Sequence, residues 1–451
     1  MGGRPGGRFM SHPFKNPNFR TYLIARLFGA LGSYMMEVAL MWWALEATGR
    51  NDSVAWVALT MSIVGTLASP FGGVLADRAN KVGLASVGYA LSMVAPATAA
   101  ALLLSGHLSF GLVVAIVAID NLISSFFAPA NNALGPLLLT KEQYSQGVAM
   151  TQGMSKLLRM ASMPLGGMLV AGLGVAPTLL VTASVYLVAA TIVRFVEEPR
   201  VGYAVSDSGT GDEGGAAAGY GSVKAEARKS LREQWIDPMV ATVRMLFSVP
   251  LLAAALFMVG LLNFILSPIG VMMAPYAKSL GSGAEGYGLL LAGITAGELL
   301  GYAVFTTFRS SRSLPYILGG SMLMGLSIGA LAWATNLIPA VVALGLAGLG
   351  AVAVGVHLDA LAIKVIPKEF MGRAISMIGV LLNGLGPLGL VAAGFALRTL
   401  SFATIFAVIS GSLIVASLLW LWPPIALAVG AAESAPVETD DAAEATAAKT
   451  A

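Results

Sequence analysis

Long apolar runs separated by short polar segments dominate the chain. Val54–Ala76 and Val82–Leu104 contain no Asp, Glu, Lys or Arg, and each has the roughly 20 residues that a helix needs to cross a bilayer. Met160–Val193 is long enough for two shorter spans, which we expect to be separated around Gly172, Gly174 and Pro177. Ser313–Leu358 likewise predicts two spans, with a turn at 336–339.

The other apolar runs complete a set of twelve predicted spans. Three of them, at about 20–46, 110–134 and 286–308, carry internal charges, and the other three contain no Asp, Glu, Lys or Arg. In chain order they fall at about 20–46, 110–134, 250–277, 286–308, 374–397 and 399–432. Each is predicted to be a helix, because a lipid environment offers the backbone no partners other than its own groups.

Composition supports a membrane protein. Of the 451 residues, 57% are hydrophobic and only 11% are charged, whereas soluble domains carry about 25% charged residues. Cysteine is absent, so disulfides and thiol chemistry are excluded. These values exclude an ordinary soluble enzyme.

The basic residues predict the orientation. If both ends of the chain are cytoplasmic, all but three of the 26 Lys and Arg residues lie inside the cell or within the membrane, the exceptions being Arg50, Lys278 and Arg398. Cytoplasmic loops of membrane proteins are enriched in these residues. We therefore expect a multi-pass protein of the plasma membrane with both termini cytoplasmic.

The spans form two groups of six, so the predicted fold is all-α with two pseudo-symmetric six-helix halves. Pro164-Leu165-Gly166 recurs as Pro387-Leu388-Gly389 at the same place in the second half. Two equivalent halves are typical of transporters, with a substrate site between them. The predicted segments are a cytoplasmic N-terminus (1–19), the first half (20–196), a cytoplasmic linker (197–247), the second half (248–424) and a disordered cytoplasmic tail (425–451).

A short charged segment carries a family resemblance. Residues 73–81 read GVLADRANK, which resembles the GxLaDRxxRK signature of the major facilitator superfamily. Asn16–Arg20, Phe127–Ala130 and Pro164–Gly167 are also similar to segments of that family. The resemblance is to the branch of macrolide and multidrug exporters and the enterobactin exporter.

The resemblance implies a conformational gate in this signature. Its residues here are Gly73, Asp77, Arg78 and Lys81, with Arg373 at the start of span 11. In the family, the aspartate holds the start of helix 11 while the transporter faces outward. Such a contact is physically reasonable, because the N-terminus of a helix attracts an anion.

Four acids fall within predicted spans: Glu37, Asp120, Glu298 and Asp359. An acid at the centre of a membrane helix costs about 2.5 to 3.5 kcal/mol on insertion scales and is a functional candidate. Glu37, Asp120 and Glu298 are the candidates for proton coupling. For Glu298 the alternative is a packing role, beside a predicted contact face of Gly293, Gly297 and Gly301 that would approach a neighbouring helix closely.

Pairing with basic residues is a second explanation for the presence of acids within the spans. Arg26, Lys156 and Arg159 could pair with Glu37 and Asp120 and merely stabilise the bundle. Asp359 lies near the cytoplasmic end of span 10, where Lys364 or water could satisfy it. Both readings remain open at this stage.

Five residues are predicted to line a substrate cavity, namely Met36, Asn263, Phe264, His357 and Asp359.

The sequence has no phosphate-binding loop of the GxxxxGK[ST] type and no credible catalytic set, so we expect a protein that is not an enzyme and needs no cofactor beyond a proton gradient. The predicted function is proton-coupled export of an amphipathic small molecule, a drug or a secreted metabolite such as a siderophore. The alternatives are a lysolipid flippase and, more remotely, a membrane sensor or embedded enzyme. The expected partners are this substrate and the lipid bilayer, with no nucleic acid and no obligate protein partner.

Overall fold

The computed structural model describes residues 13–78, 80–197, 250–307, 312–365 and 371–423, with isolated positions at 244, 248, 426, 427, 429 and 430. Every regular element within these residues is a helix. Nine of the described helices are long and apolar enough to cross a membrane. The helices fall into twelve segments, as predicted: α1 Pro17–Thr48, α2 Asp52–Arg78, α3 Lys81–Leu104, α4 Phe110–Leu137, α5 Lys141–Leu173, α6 Val175–Val193, α7 Pro250–Ser279, α8 Ala284–Thr307, α9 Leu314–Ala330, α10 Leu337–Val365, α11 Met371–Thr399 and α12 Phe402–Leu419.

Local sequence sets the boundaries of the helices. Helix α1 begins after Asn16, whose side-chain oxygen accepts hydrogen bonds from the Asn18 and Phe19 amides, and it ends at Gly49 with φ +65°. Capping by Asn at the start and left-handed Gly at the end are favoured helix signals. A single residue, Gly174 with φ +86°, separates α5 from α6. This confirms the predicted division of the Met160–Val193 run.

The two halves repeat the same packing. Helix α2 packs on α4 as α8 packs on α10, and α1 packs on α5 as α7 packs on α11. The pairs α3–α6 and α9–α12 correspond in the same way. The predicted duplication of a six-helix unit is therefore present in three dimensions.

The predicted glycine face of α8 packs against α10. A Cβ atom at Gly297 would overlap the Gly345 carbonyl, and one at Gly293 would lie 2.6 Å from the Val341 carbonyl oxygen. Gly301 faces Val352. Small residues allow membrane helices to approach at backbone distance, and this prediction is confirmed.

The hydrophobic cores show where the halves meet. We refer to the end of the bundle at which α1 ends and α2 begins as the Gly49 end, and to the opposite end as the Asn16 end. The largest core joins both halves and includes Leu45 and Met272. Near the Asn16 end each half has its own core, one around Tyr22 and one around Met258. The described halves are thus joined toward the Gly49 end and pack separately toward the Asn16 end.

The second half extends slightly beyond its predicted boundary at 424. Val429 is fully buried and belongs to the same core as Trp420, Ile317 and Leu361. The reason is compositional, because residues 425–429 read IALAV and are as apolar as a span. Residues 431–451 of the predicted tail, and nearly all of the predicted 197–247 linker, lie outside the described residues.

Candidate functional site

A cavity of about 340 Å³ lies within the first half. Helices α1, α3, α4, α5 and α6 all contribute to its wall. The lining combines one cation with polar and aromatic side chains, and it contains no acid among the described residues. The polar and aromatic lining residues are Arg26, Ser33, Tyr34, Tyr89, Ser92, Ser124, Phe127, Asn131, Asn132, Ser155 and Tyr186.

Arg26 connects three helices at the cavity wall. Its Nη1 donates to the Asn132 side chain at 2.8 Å and to the Tyr22 hydroxyl at 3.3 Å. Its Nε donates to the Ser155 hydroxyl at 3.2 Å. All three partners are neutral, so these bonds orient the guanidinium without neutralising its charge.

Glycines make room for the rings that form the wall. A Cβ at Gly29 would overlap the Tyr89 ring, and one at Gly88 would lie 2.6 Å from Phe127 Cβ. The Tyr89 hydroxyl accepts a hydrogen bond from Asn131 Nδ2. The other side-chain atom of Asn131, Oδ1, is buried and has no hydrogen-bond partner within the described residues. The cavity wall thus combines flat ring surfaces with polar side chains.

Asp120 lies next to this cavity. It is only 6% exposed, and it lies one helical turn from Ser124, which lines the cavity. Tyr186 is an electrostatic neighbour of Asp120 and is within hydrogen-bonding reach of Ser33. The Asp120 Oδ1 atom is buried and has no hydrogen-bond partner in the described part of the chain, and no described cation acts on the carboxyl.

Glu37 has a different environment. It is half-buried on α1, and Arg159 on α5 is the cation that acts on it electrostatically. Of the predicted counter-charges, the structure thus brings Arg159 to Glu37 and places Arg26 at the cavity. The side chain of Lys156 lies outside the described residues. The two acids that the sequence treats as equivalent are therefore different: Glu37 has a cationic neighbour and Asp120 has none within the described residues.

The remaining predicted acids lie elsewhere. Glu298 is half-buried at the contact between α8 and α10, where its Cγ is close to Gly348. Asp359 is exposed on α10. Neither residue lines the cavity of the first half.

The other residues predicted to line a substrate cavity are dispersed. Met36 is buried in the core that joins the halves. His357 is buried between aromatic side chains, with its ring stacked on Tyr316 at 4.5 Å. Asn263 and Phe264 are exposed on α7, and Phe264 lines a separate groove beside α12. The structure does not bring these residues together.

The predicted gate can be placed only in part. Gly73, Asp77 and Arg78 belong to α2, and Arg373 belongs to the first turn of α11. Their side chains lie outside the described residues. Lys81 is the first residue of α3, which Asn80 caps by accepting a hydrogen bond from the Gly83 amide at 2.6 Å.

Several contacts among the described residues join the halves toward the Gly49 end. The backbones of Gly167 on α5 and Gly288 on α8 touch. The Trp42 ring stacks on Tyr287 with a centroid distance of 6.1 Å. At the rim, Arg398 Nε of α11 lies 3.6 Å from Asp52 Oδ2 of α2.

Most residues of the cavity wall were not predicted from the sequence. Arg26 is recognised only as a possible counter-charge, whereas Tyr34, Tyr89, Asn131 and Asn132 are not predicted at all. A signal for the last two exists, because Asn131-Asn132 is a polar pair inside an apolar span and directly follows Phe127–Ala130. Two adjacent amides in a membrane helix are costly unless they face partners or a cavity.

Two six-helix halves joined at one end define the class of membrane carriers with duplicated bundles. The solved nucleoside transporter NupG has the same fold, with 11% identity, a TM-score of 0.67 and coverage of 90% of this chain and 98% of that one. A POT family transporter in complex with 5-aminolevulinic acid matches with 14% identity and a TM-score of 0.67, covering 92% and 98% of the two chains. At these identities the similarity establishes the fold alone. A search of curated protein sequences gives no significant match.

The sequence itself establishes the family. Residues 22–389 match the profile of the Major Facilitator Superfamily. The chain belongs to this family and is a multi-pass secondary transporter.

Proposed function

We propose that the protein is a proton-coupled exporter of an amphipathic small molecule and that Asp120 carries the proton. The observation that supports the proposal is the buried Asp120 carboxyl. It lies beside the cavity, and no cation or hydrogen-bond donor among the described residues stabilises its charged form at Oδ1. Burial without a counter-charge favours a protonated carboxyl.

Proton exchange then follows from access to water. A carboxyl in this position holds a proton while it is buried and releases it when the cavity wall opens and hydrates the group. A proton that crosses 100 mV releases about 2.3 kcal/mol. This is enough for roughly a fifty-fold gradient of a neutral solute.

Glu37 has a different role in this proposal. Arg159 supplies an opposite charge that acts on Glu37, whereas no described cation acts on Asp120. Arg159 acts electrostatically on Glu37 from α5, which packs against α1. We assign this pair to stabilisation of the bundle rather than to proton transfer.

The halves are in contact at one end and separate at the other, as expected for a carrier with alternating access. Their contacts lie toward the Gly49 end, and the Asn16 end has separate cores. With the predicted topology, in which the chain termini are cytoplasmic, this arrangement faces inward and would receive substrate from the cytoplasm. Export as the direction of transport rests on the resemblance to exporters.

A groove on the second half favours a second candidate, a lysolipid flippase. A space of about 480 Å³ lies between α7 and α12 and is lined almost entirely by apolar side chains, including Phe264, Val408 and Leu419. Phe264 and Val408 are themselves exposed. A groove of this kind could accommodate an acyl chain. Transport of single-chain phospholipids in preference to water-soluble amphipaths would favour this candidate.

The test is an accumulation screen in an efflux-deficient bacterium that expresses the wild-type protein or Asp120→Asn. Macrolides, dyes, catecholates and lysolipids are offered with and without a protonophore. We expect lowered accumulation of at least one compound, reversed both by the protonophore and by Asp120→Asn. Glu285→Gln is the matched control, because Glu285 is an exposed acid at the start of α8. Export that survives both the protonophore and Asp120→Asn would refute proton coupling through Asp120.

A further inference from the structure

We propose that the cavity of the first half recognises an organic anion, a carboxylate or a phosphate attached to an aromatic or other flat apolar group, and that Arg26 binds the anion. The proposal rests on the proposed function, because it takes this cavity as the substrate site. It adds the charge and the shape of the substrate.

The first argument is the uncompensated charge of Arg26. Its described hydrogen-bond partners are Asn132, Tyr22 and Ser155, and all are neutral. The described residues that line the cavity include no Asp or Glu. A cation within a membrane helix is costly and is normally paired. A substrate anion would supply the missing charge.

The acids near the cavity do not neutralise the charge of Arg26. Tyr34 lies between the charges, with Arg26, Arg159 and Glu37 all acting on it. Glu37 is the described acid among them, and its cationic neighbour is Arg159. Asp120 is buried, does not line the cavity and is assigned above to the protonated state. Among the described residues that line the cavity, Arg26 is therefore the charged one.

The second argument is the geometry of the guanidinium. Bonds from Nε and Nη1 fix the plane of the Arg26 side chain between α1, α4 and α5. These bonds use the Nε–H and both Nη1–H groups, which leaves the two N–H groups of Nη2 to donate charge-assisted hydrogen bonds to a carboxylate or phosphate. An orienting network of neutral side chains is suited to this role, since it fixes the donor without cancelling its charge.

Another arginine of the same half shows what a purely structural role for Arg26 would look like. Arg194 of α6 also donates from Nε to a hydroxyl of a neighbouring helix, Ser86 of α3, at 2.8 Å. Arg194 does not line the cavity. An interhelical bond of arginine to serine therefore occurs here with and without a cavity, so Arg194 provides the matched control.

The third argument concerns the rest of the ligand. The rings of Tyr89 and Phe127 pack against glycines of adjacent helices, and Tyr34 and Tyr186 also face the cavity. Flat apolar groups pack well against such rings. The cavity therefore fits an amphipathic aryl or similarly flat anion better than a cationic drug.

The test measures binding of matched probes to the purified full-length protein. The probes are 2-naphthoate, 2-naphthyl phosphate and the neutral amide 2-naphthamide, titrated at neutral pH and read by calorimetry and by the shift in melting temperature. We expect the wild type to bind at least one anion about tenfold or more tightly than the amide, as for a charge-assisted hydrogen bond in a desolvated site. Arg26→Gln should remove this preference while amide binding persists. Arg26→Lys should retain part of it, and Arg194→Gln should retain all of it.

Several outcomes overturn the proposal. They are an amide affinity equal to that of both anions in the wild type, no binding of either naphthyl anion together with no Arg26-dependent binding of lysophosphatidylglycerol, or an equal loss of preference in Arg26→Gln and Arg194→Gln. If Arg26→Gln does not fold, the wild-type preference and Arg26→Lys decide the question. A further arm with lysophosphatidylglycerol distinguishes the source of the anion: Arg26-dependent binding of this lipid but not of the naphthyl anions confirms the anion site and assigns it to a lipid headgroup.

Failure of this inference can be distinguished from failure of the proposed function. Proton-driven export with no anion preference would refute the role of Arg26 alone. An Arg26-dependent anion preference without any proton-driven export would refute the coupling alone.

Discussion

Replacement of Gly167 by alanine is expected to open the Gly49 end. Gly167 is buried on α5 where it touches Gly288 of α8. A Cβ added at Gly167 would lie 2.5 Å from the Gly288 Cα and 2.8 Å from the Gly288 nitrogen. The contact is backbone against backbone, so no side chain can rotate away to relieve it.

The size of the effect follows from these distances. Carbon atoms in good contact are about 3.5 Å apart or more, so α5 and α8 must separate by roughly 1 Å. Overpacking of this kind costs about 1 to 3 kcal/mol. Since the cost falls on the state in which the halves touch, the balance between closed and open forms should shift by about 5- to 150-fold.

Distance measurement between spin labels provides the assay. The native chain has no cysteine, so Ser105→Cys and Ser282→Cys introduce one label into each half at the Gly49 end. The control is Gly172→Ala, on the same helix, where an added Cβ meets nothing within 4 Å. Both substitutions change helix propensity equally, so a difference between them reports the contact with α8.

We expect Gly167→Ala to add a population with a longer distance between the labels, whereas Gly172→Ala leaves the wild-type distribution unchanged. A distribution for Gly167→Ala that equals the control would refute the conclusion that close approach at this point holds the Gly49 end closed.

Three further predictions concern the gate, the topology and the packing of the second half. Asp77→Asn should impair transport at equal expression, because loss of a charge-assisted contact costs about 1.5 to 3 kcal/mol, and wild-type transport rates would exclude the gate. Cysteines replacing Ser208 and Ser434 should resist an impermeant reagent on intact cells while one at Ser282 reacts, since positive charge is retained inside; the reverse pattern would invert the topology. Gly297→Ala should lower the melting temperature, because its Cβ overlaps a carbonyl of α10, and an unchanged temperature would contradict that contact.

The helices of this protein could be predicted because their signals are local. Apolar runs of spanning length, the break at Gly174 and the duplicated segments all lie in continuous sequence. The glycine face of α8 could also be predicted, since residues four apart lie on one side of a helix. Each of these patterns can be recognised in one continuous stretch of sequence.

The cavity could not be predicted for the opposite reason. The hydrogen bonds of Arg26 reach Asn132 and Ser155, which are 106 and 129 residues away in the sequence. The separate environments of Glu37 and Asp120 also depend on which helices pack together. His357 shows the reverse error, because a lone histidine in a span suggests a polar cavity, whereas here its ring stacks on Tyr316 and its Nδ1 lies 2.8 Å from the Ala353 carbonyl oxygen.

The most direct test of the account measures transport by wild-type protein and Asp120→Asn in reconstituted vesicles, with a substrate found in the accumulation screen and an imposed pH gradient. The account predicts that Asp120→Asn retains downhill exchange of the substrate but loses uphill transport driven by the gradient. Glu37→Gln should instead lower thermal stability, because it leaves Arg159 without the acid near it. Full gradient-driven transport by Asp120→Asn would contradict the central claim that this buried carboxyl couples the proton to the substrate.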